Sequence, residues 1–222
     1  MDFAWSKNGF LLSASLDCTV RLWHPDYDNC LCIFKHKCSR QLSLTSRDMV
    51  TSVDFYPEEE AYFISGCMDR KLRVWSIPQG CVLKWTQAPS VITTVTFCPG
   101  GRLCAAGLSD GQVIFYYSDG LRYFTQVGVA AVCEAQMECR NRHGKDKAGR
   151  KVTGISFLVK EKRQYMLVTT NDSRLRVMSL DTFSITTKFK GHVNRSRQLK
   201  ASLSSDRKYI ACGSDNGRVW VM

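Results

Sequence analysis

Acidic and aromatic residues recur at a fixed spacing along this chain, and such pairs could in principle hold a ligand or a reacting group. Asp17, Asp69, Asp110, Asp172 and Asn216 each stand six residues ahead of Trp23, Trp75, Tyr116, Met178 and Met222. An acid that recurs once per segment has a structural use. In a tight turn its carboxylate accepts backbone N–H groups, and the large residue that follows fills the space between layers. A second cluster, Cys30, Cys32, His36 and Cys38, has the soft ligands that zinc favours. Cys30 and Cys32 share one face of a predicted strand, however, where small buried residues are expected. No GxxxxGK[ST] loop, HExxH or GxSxG occurs. The sequence therefore predicts neither an enzyme nor a bound cofactor or metal.

Charge carries more information. The chain has 31 Lys plus Arg against 20 Asp plus Glu, a net charge of +11. Three segments account for nearly all of it. Residues 37–47 carry Lys37, Arg40 and Arg47 without an acid, for +3. Residues 127–151 carry Arg140, Arg142, Lys145, Lys147, Arg150 and Lys151 against Glu134, Glu138 and Asp146, again +3. Residues 190–200 carry Lys190, Arg195, Arg197 and Lys200, for +4. Basic loops steer acidic partners, whether a protein surface, an anionic membrane or RNA. Nucleic acid fits least well, because these loops lack interleaved aromatics for base stacking.

The elements that position these residues follow from an internal repeat. The 222 residues are 44% apolar and 23% charged, the composition of a globular chain of one or two domains. No apolar run approaches the length of a transmembrane helix. The opening MDFAWSKN has no secretory pattern, and the eleven cysteines include no CxxC. They read as free thiols used as small buried hydrophobes in a cytoplasmic chain.

Aligning FLLSASLDCTVRLW, FISGCMDRKLRVW, LCAAGLSDGQVIFY, MLVTTNDSRLRVM and IACGSDNGRVWVM on the turn acid brings apolar residues together three, five and six positions later. The anchors are 52, 41, 62 and 44 residues apart. A strand is predicted upstream of each anchor segment (DFAWS, VTSVDFYP, ITTVTFCP, VTGISFL, LKASLS). A further strand is predicted downstream of the first four (CLCIF, CVLKW, LRYFT, FSITTKF). Short alternating strands between Gly, Asp and Asn turns predict an all-β chain built from four-stranded units.

On these motifs the chain resembles the WD-repeat β-propeller family over nearly its whole length. The resemblance implies five blades, near 1–35, 48–86, 90–126, 150–189 and 197–222, with insertions at 37–47 and 127–149. It also implies a buried hydrogen-bonded relay of His, strand hydroxyl, turn Asp and Trp. The residues in these places are Ser13, Asp17 and Trp23; His36, Ser65, Asp69 and Trp75; and Asp110, Asp172 and His192 of the Gly191-His192 dipeptide. Ala106 and Val168 stand where a hydroxyl is needed, so the relay is expected to be incomplete in the third and fourth blades. WD-repeat rings commonly have seven blades, so five imply an incomplete, open ring with unpaired strand edges that favour self-association.

Within the family, FLLSASLDCTVRLW, KAGRKVTGISFL, VTTNDSRLRV and GHVNRSRQLKAS resemble a propeller of the Rab GTPase effector type. That resemblance implies an interaction scaffold in vesicle or endosomal traffic, with a Rab-type small GTPase as partner and contact with anionic membrane. The expected partner-binding residues are Arg140, Arg142, Lys145, Lys147, Arg150, Lys151, Arg195 and Arg197. Met68, Arg70 and Asn171 are expected on the same rim. Recognition of anionic lipid or RNA by those loops is the alternative.

Overall fold

A computed structural model describes residues 1–36, 49–128, 131–134, 136–138, 151–160, 163–182, 184–195 and 197–222, as backbone alone between 125 and 138. Every regular element among them is a strand. The first sheet comprises β1 (Asp2–Trp5), β2 (Leu11–Ala14), β3 (Thr19–Trp23) and β4 (Cys32–Lys35). The second comprises β5 (Val50–Phe55), β6 (Tyr62–Cys67), β7 (Lys71–Ser76) and β8 (Cys81–Gln87). Next come β9 (Ile92–Phe97), β10 (Leu103–Leu108), β11 (Gln112–Tyr117), β12 (Thr125–Gly128), β13 (Ala131–Glu134) and β14 (Gln136–Glu138). The chain ends with β15 (Val152–Lys160), β16 (Arg163–Thr170), β17 (Arg174–Ser179) and β18 (Ser184–Lys190), then β19 (Ser202–Leu203), β20 (Ile210–Gly213) and β21 (Val219–Val221).

Strands follow one another in sheet order within the first, second and fourth sheets, and the fifth has three strands. This is the meander that short loops between antiparallel strands produce. The third sheet differs from the sequence expectation. LRYFT does not supply its outer strand; Tyr123 makes only an isolated bridge to Tyr116. Consecutive left-handed residues, Gly120 at φ 90° and Leu121 at φ 50°, break the extended path there. Instead β12 and β13 form a separate hairpin, and β14 pairs with β11 through Gln112↔Glu138 and Ile114↔Gln136. The first strand of the fifth sheet is also shorter than LKASLS predicts, with only Ser202 and Leu203 paired.

The chain divides into two compact units, residues 1–106 with 116–123 and residues 107–115 with 124–222. In the first unit β5 lies beside both β1 and β9. Apolar residues alternate inward, and Leu12, Val20 and Phe34 of the first sheet pack against Val53, Phe63 and Trp75 of the second. Phe63 and Trp75 stack with ring centroids 5.7 Å apart, and Phe34 meets Phe63 edge-on at 4.9 Å. A polar seam ties the inner strands together: Ser52 Oγ donates to Asp2 at 2.5 Å and accepts from Val95 N at 3.0 Å. In the second unit Leu167 and Leu175 pack with Ala201, Ile210 and Cys212.

Among the described residues eight cysteines are free; Cys67, Cys98, Cys104 and Cys212 are buried as expected, whereas Cys18, Cys30 and Cys32 are partly exposed and Cys81 is exposed. Burial pushes the Cys67 and Cys98 thiols up to about 12, so they stay protonated and act as small apolar side chains.

Candidate functional site

The recurring acids sit in the turns between second and third strands. The residue after each anchor, Cys18, Arg70, Gly111, Ser173 and Gly217, has a positive φ between 60° and 88°. A left-handed residue reverses the chain there, and the preceding acid or amide fixes the turn. Asp17, Asp69, Asp110 and Asn216 each accept the backbone N–H two residues later, at 2.8–3.3 Å.

Three anchors carry a second device, beyond the recurring acid and aromatic. Arg21, Arg73 and Arg176, each four residues past its anchor, return a guanidinium to Asp17, Asp69 and Asp172 at 2.8, 2.5 and 2.5 Å. The same column of the five-way alignment holds Ile114 and Trp220 in the other two repeats, so the Arg periodicity was visible there. Burial increases along the series. The Asp17 pair is about two-fifths exposed, the Asp69 pair is mostly buried, and the Arg176 side chain has no exposure. Burial alone would raise the Asp69 and Asp172 carboxyls. Hydrogen bonds and charge from the arginines outweigh it and hold both below the usual carboxylate range.

The expected relay is only partly formed. Trp75 Nε1 donates to Ser65 Oγ at 2.8 Å, and that hydroxyl lies 3.2 Å from His36 Nε2. Trp23 Nε1 donates to Ser13 Oγ at 2.9 Å. The chain of bonds stops short of Asp69, because Arg73 takes both carboxylate oxygens and His36 Nδ1 has no partner. In the fourth sheet Thr170 replaces the missing hydroxyl. It donates to Asp172 at 2.5 Å and accepts from Arg176 at 2.5 Å. His192 is buried and neither ring nitrogen has a hydrogen-bond partner, so it joins no bonded relay. Burial lowers its affinity for a proton, while the Asp172 and Asp215 charges oppose that shift.

Of the predicted partner-binding residues, Arg140, Arg142, Lys145, Lys147 and Arg150 lie outside the described residues, as do Lys37, Arg40 and Arg47. In the second unit the backbone segments that carry Lys151 and Asn171, and Ser173 and Asn194 beside them, are joined by hydrogen bonds at the turn end. The Asn171 amide donates to Lys151 O at 3.0 Å, and Asn194 N donates to Ser173 Oγ at 2.9 Å. Asp215 accepts from Arg195 N at 2.7 Å and lies 3.7 Å from Arg197 Nε. Residues 193–195 are therefore strapped to two turns while the Arg195 and Arg197 side chains remain exposed. Lys151 is half-buried, and desolvation weakens its hold on its proton. In the first unit Met68 and Arg70 occupy the corresponding turn, where Ala88 N donates to Arg70 O at 2.7 Å.

A family description, "WD domain, G-beta repeat", matches residues 1–24, 36–76, 80–116 and 183–221, more than half of the chain. The chain belongs to the WD-repeat family. Among the described residues, five of its six sheets are the propeller blades of that family, and the sixth is the β12–β13 hairpin. Most of the fourth blade falls outside the matched segments, in keeping with Val168 and Met178 at its relay positions, yet β15 to β18 form the same four-stranded sheet. This WD-repeat chain is 42% identical to WD repeat-containing protein 44 of Xenopus laevis over all of its own length and 22% of that protein. It is 31% identical to an uncharacterised WD repeat-containing protein of Schizosaccharomyces pombe, covering 35% of it. It is 29% identical to 2-deoxy-glucose resistant protein 2 of Saccharomyces cerevisiae, covering 25% of it. The chain thus spans about a fifth to a third of the relatives it matches along its length.

Proposed function

We propose that this WD-repeat chain is a non-enzymatic interaction scaffold whose basic turn end receives an acidic surface of a partner protein. The observation that supports the reading is the strapped segment of the second unit, which carries the exposed Arg195 and Arg197 and is hydrogen-bonded to the Asp172–Ser173 turn that follows Asn171. A fixed backbone lowers the ordering cost of binding, and exposed guanidiniums form bidentate pairs with carboxylates. The partner proposed is a Rab-type small GTPase at vesicle or endosomal membranes, supported by the sequence resemblance and by the basic loops that such a partner would meet.

Pull-down with GTP- and GDP-loaded small GTPases tests this. Preferential capture of the GTP form, weakened by Arg195→Glu with Arg197→Glu, is the expected result. Flotation with anionic liposomes tests the second reading, direct membrane recognition, which the same cationic side chains favour. Flotation without nucleotide-dependent capture would replace the first reading with the second.

A further inference from the structure

We propose that a groove in the first unit, between the end of β4 and strands β7 and β8, binds an acidic peptide segment of a partner protein. Its volume is about 420 Å³ and its floor includes His36 and Trp75. That volume lies within the range of ligand clefts. The charged residues lining it are Lys35, Lys71 and Arg73; no carboxylate lines it. Arg73 is neutralised by Asp69, whereas among the described residues neither lysine pairs with an acid. Among the described residues the groove therefore keeps two cations without a paired acid.

Trp85 supplies an apolar wall. It is 57% exposed, and the Lys71 ammonium sits 4.7 Å from its ring centroid. Antiparallel pairing of Arg73 with Trp85 and Lys71 with Gln87 sets Lys71 diagonally against the indole. The cation–π contact holds the ammonium in place before a ligand arrives. An exposed Trp beside a fixed cation suits a segment that alternates carboxylate with apolar side chains. The β8 pattern explains the exposure. Cys81, Leu83, Lys84, Trp85 and Gln87 are all exposed on the last strand of their sheet. The groove belongs to the first unit and neither Arg195 nor Arg197 lines it, so the proposal stands without the small-GTPase reading.

Fluorescence anisotropy of the 222-residue chain with a fluorescein-labelled octapeptide of alternating Glu and Leu tests it. Binding should weaken as salt rises, and Lys71→Glu or Trp85→Ala should each weaken it about tenfold. Lys188→Glu, on exposed β18, should leave it unchanged. Lys71→Gln serves as the second variant if Trp85→Ala fails to fold. Equal binding of a Lys-Leu octapeptide, or indifference to both the Lys71 and Trp85 changes, would overturn the proposal. It would also be overturned if Lys71→Glu abolished flotation with phosphatidylserine vesicles while peptide binding persisted. Loss of GTPase capture through Arg195 and Arg197 with intact peptide binding would separate the two sites.

Discussion

Arg176 and Asp172 form a 2.5 Å ion pair in which the guanidinium side chain has no solvent exposure, and Thr170 bonds to both partners. The same i,i+4 arrangement between Arg21 and Asp17 lies at the surface. One local geometry thus occurs in two dielectric settings, and the settings decide its energetic weight. Arg176→Ala leaves the buried Asp172 carboxylate with the Thr170 hydroxyl and only the longer 3.8 Å Arg174 contact, and should cost about 2–3 kcal/mol. Arg21→Ala should cost less than about 1 kcal/mol, because water screens that pair. Urea unfolding at neutral pH measures both. Equal losses would show that burial does not set the difference.

Ser65 links Trp75 to His36, so Ser65→Ala orphans a buried indole N–H and should cost about 1–3 kcal/mol. Ser13→Ala removes a similar bond from the less buried Trp23 and should cost less. Trp75→Ala opens a cavity against Phe34 and Phe63 and should cost roughly 3–5 kcal/mol. Thermal melting with losses that rise from Ser13→Ala through Ser65→Ala to Trp75→Ala is the expected result; an unchanged Trp75→Ala melt would contradict the packing of these two blades.

The five turn anchors were legible because each combines a short acid or amide with apolar residues at fixed offsets. A left-handed residue after the anchor was harder to read. Cys18, Arg70 and Ser173 adopt it although only Gly111 and Gly217 advertise it by type. The outer strand of the third blade was misplaced because LRYFT alternates like a strand, while its entry through Gly120 and Leu121 prevents more than one bridge. The His36–Asp69 bond failed for a different reason. Family spacing names a partner for each group, but Arg73 competes for the same carboxylate, and spacing does not rank competitors.

Burial lowers the His36 pKa from 6.5 to about 4, with the Arg73 charge adding to the shift and Asp69 opposing it. The folded state therefore binds this proton less readily than the unfolded chain. Stability is fully present above pH 6.5 and falls as pH drops towards 4, by about 3 kcal/mol if His36 acts alone. His192 shifts in the same direction and adds to the slope. His36→Gln should flatten the dependence of unfolding free energy on pH between 6.5 and 4. A slope unchanged by that substitution would remove His36 as its source.

Gly66 on β6 faces the inner strand of the next blade, and an added Cβ would lie 2.5 Å from Ile92 Cγ2 and 2.8 Å from Val95 Cγ1. Both neighbours are fully buried, so neither can rotate into open space. Gly66→Ala should therefore destabilise the first unit by about 1–3 kcal/mol through overpacking. Ile92→Ala removes the closest obstacle while opening a cavity that the new methyl can occupy. In a double-mutant cycle, Gly66→Ala should consequently cost less in the Ile92→Ala background than in the natural sequence. Additive losses would mean that the two strands do not approach as closely as Gly66 permits.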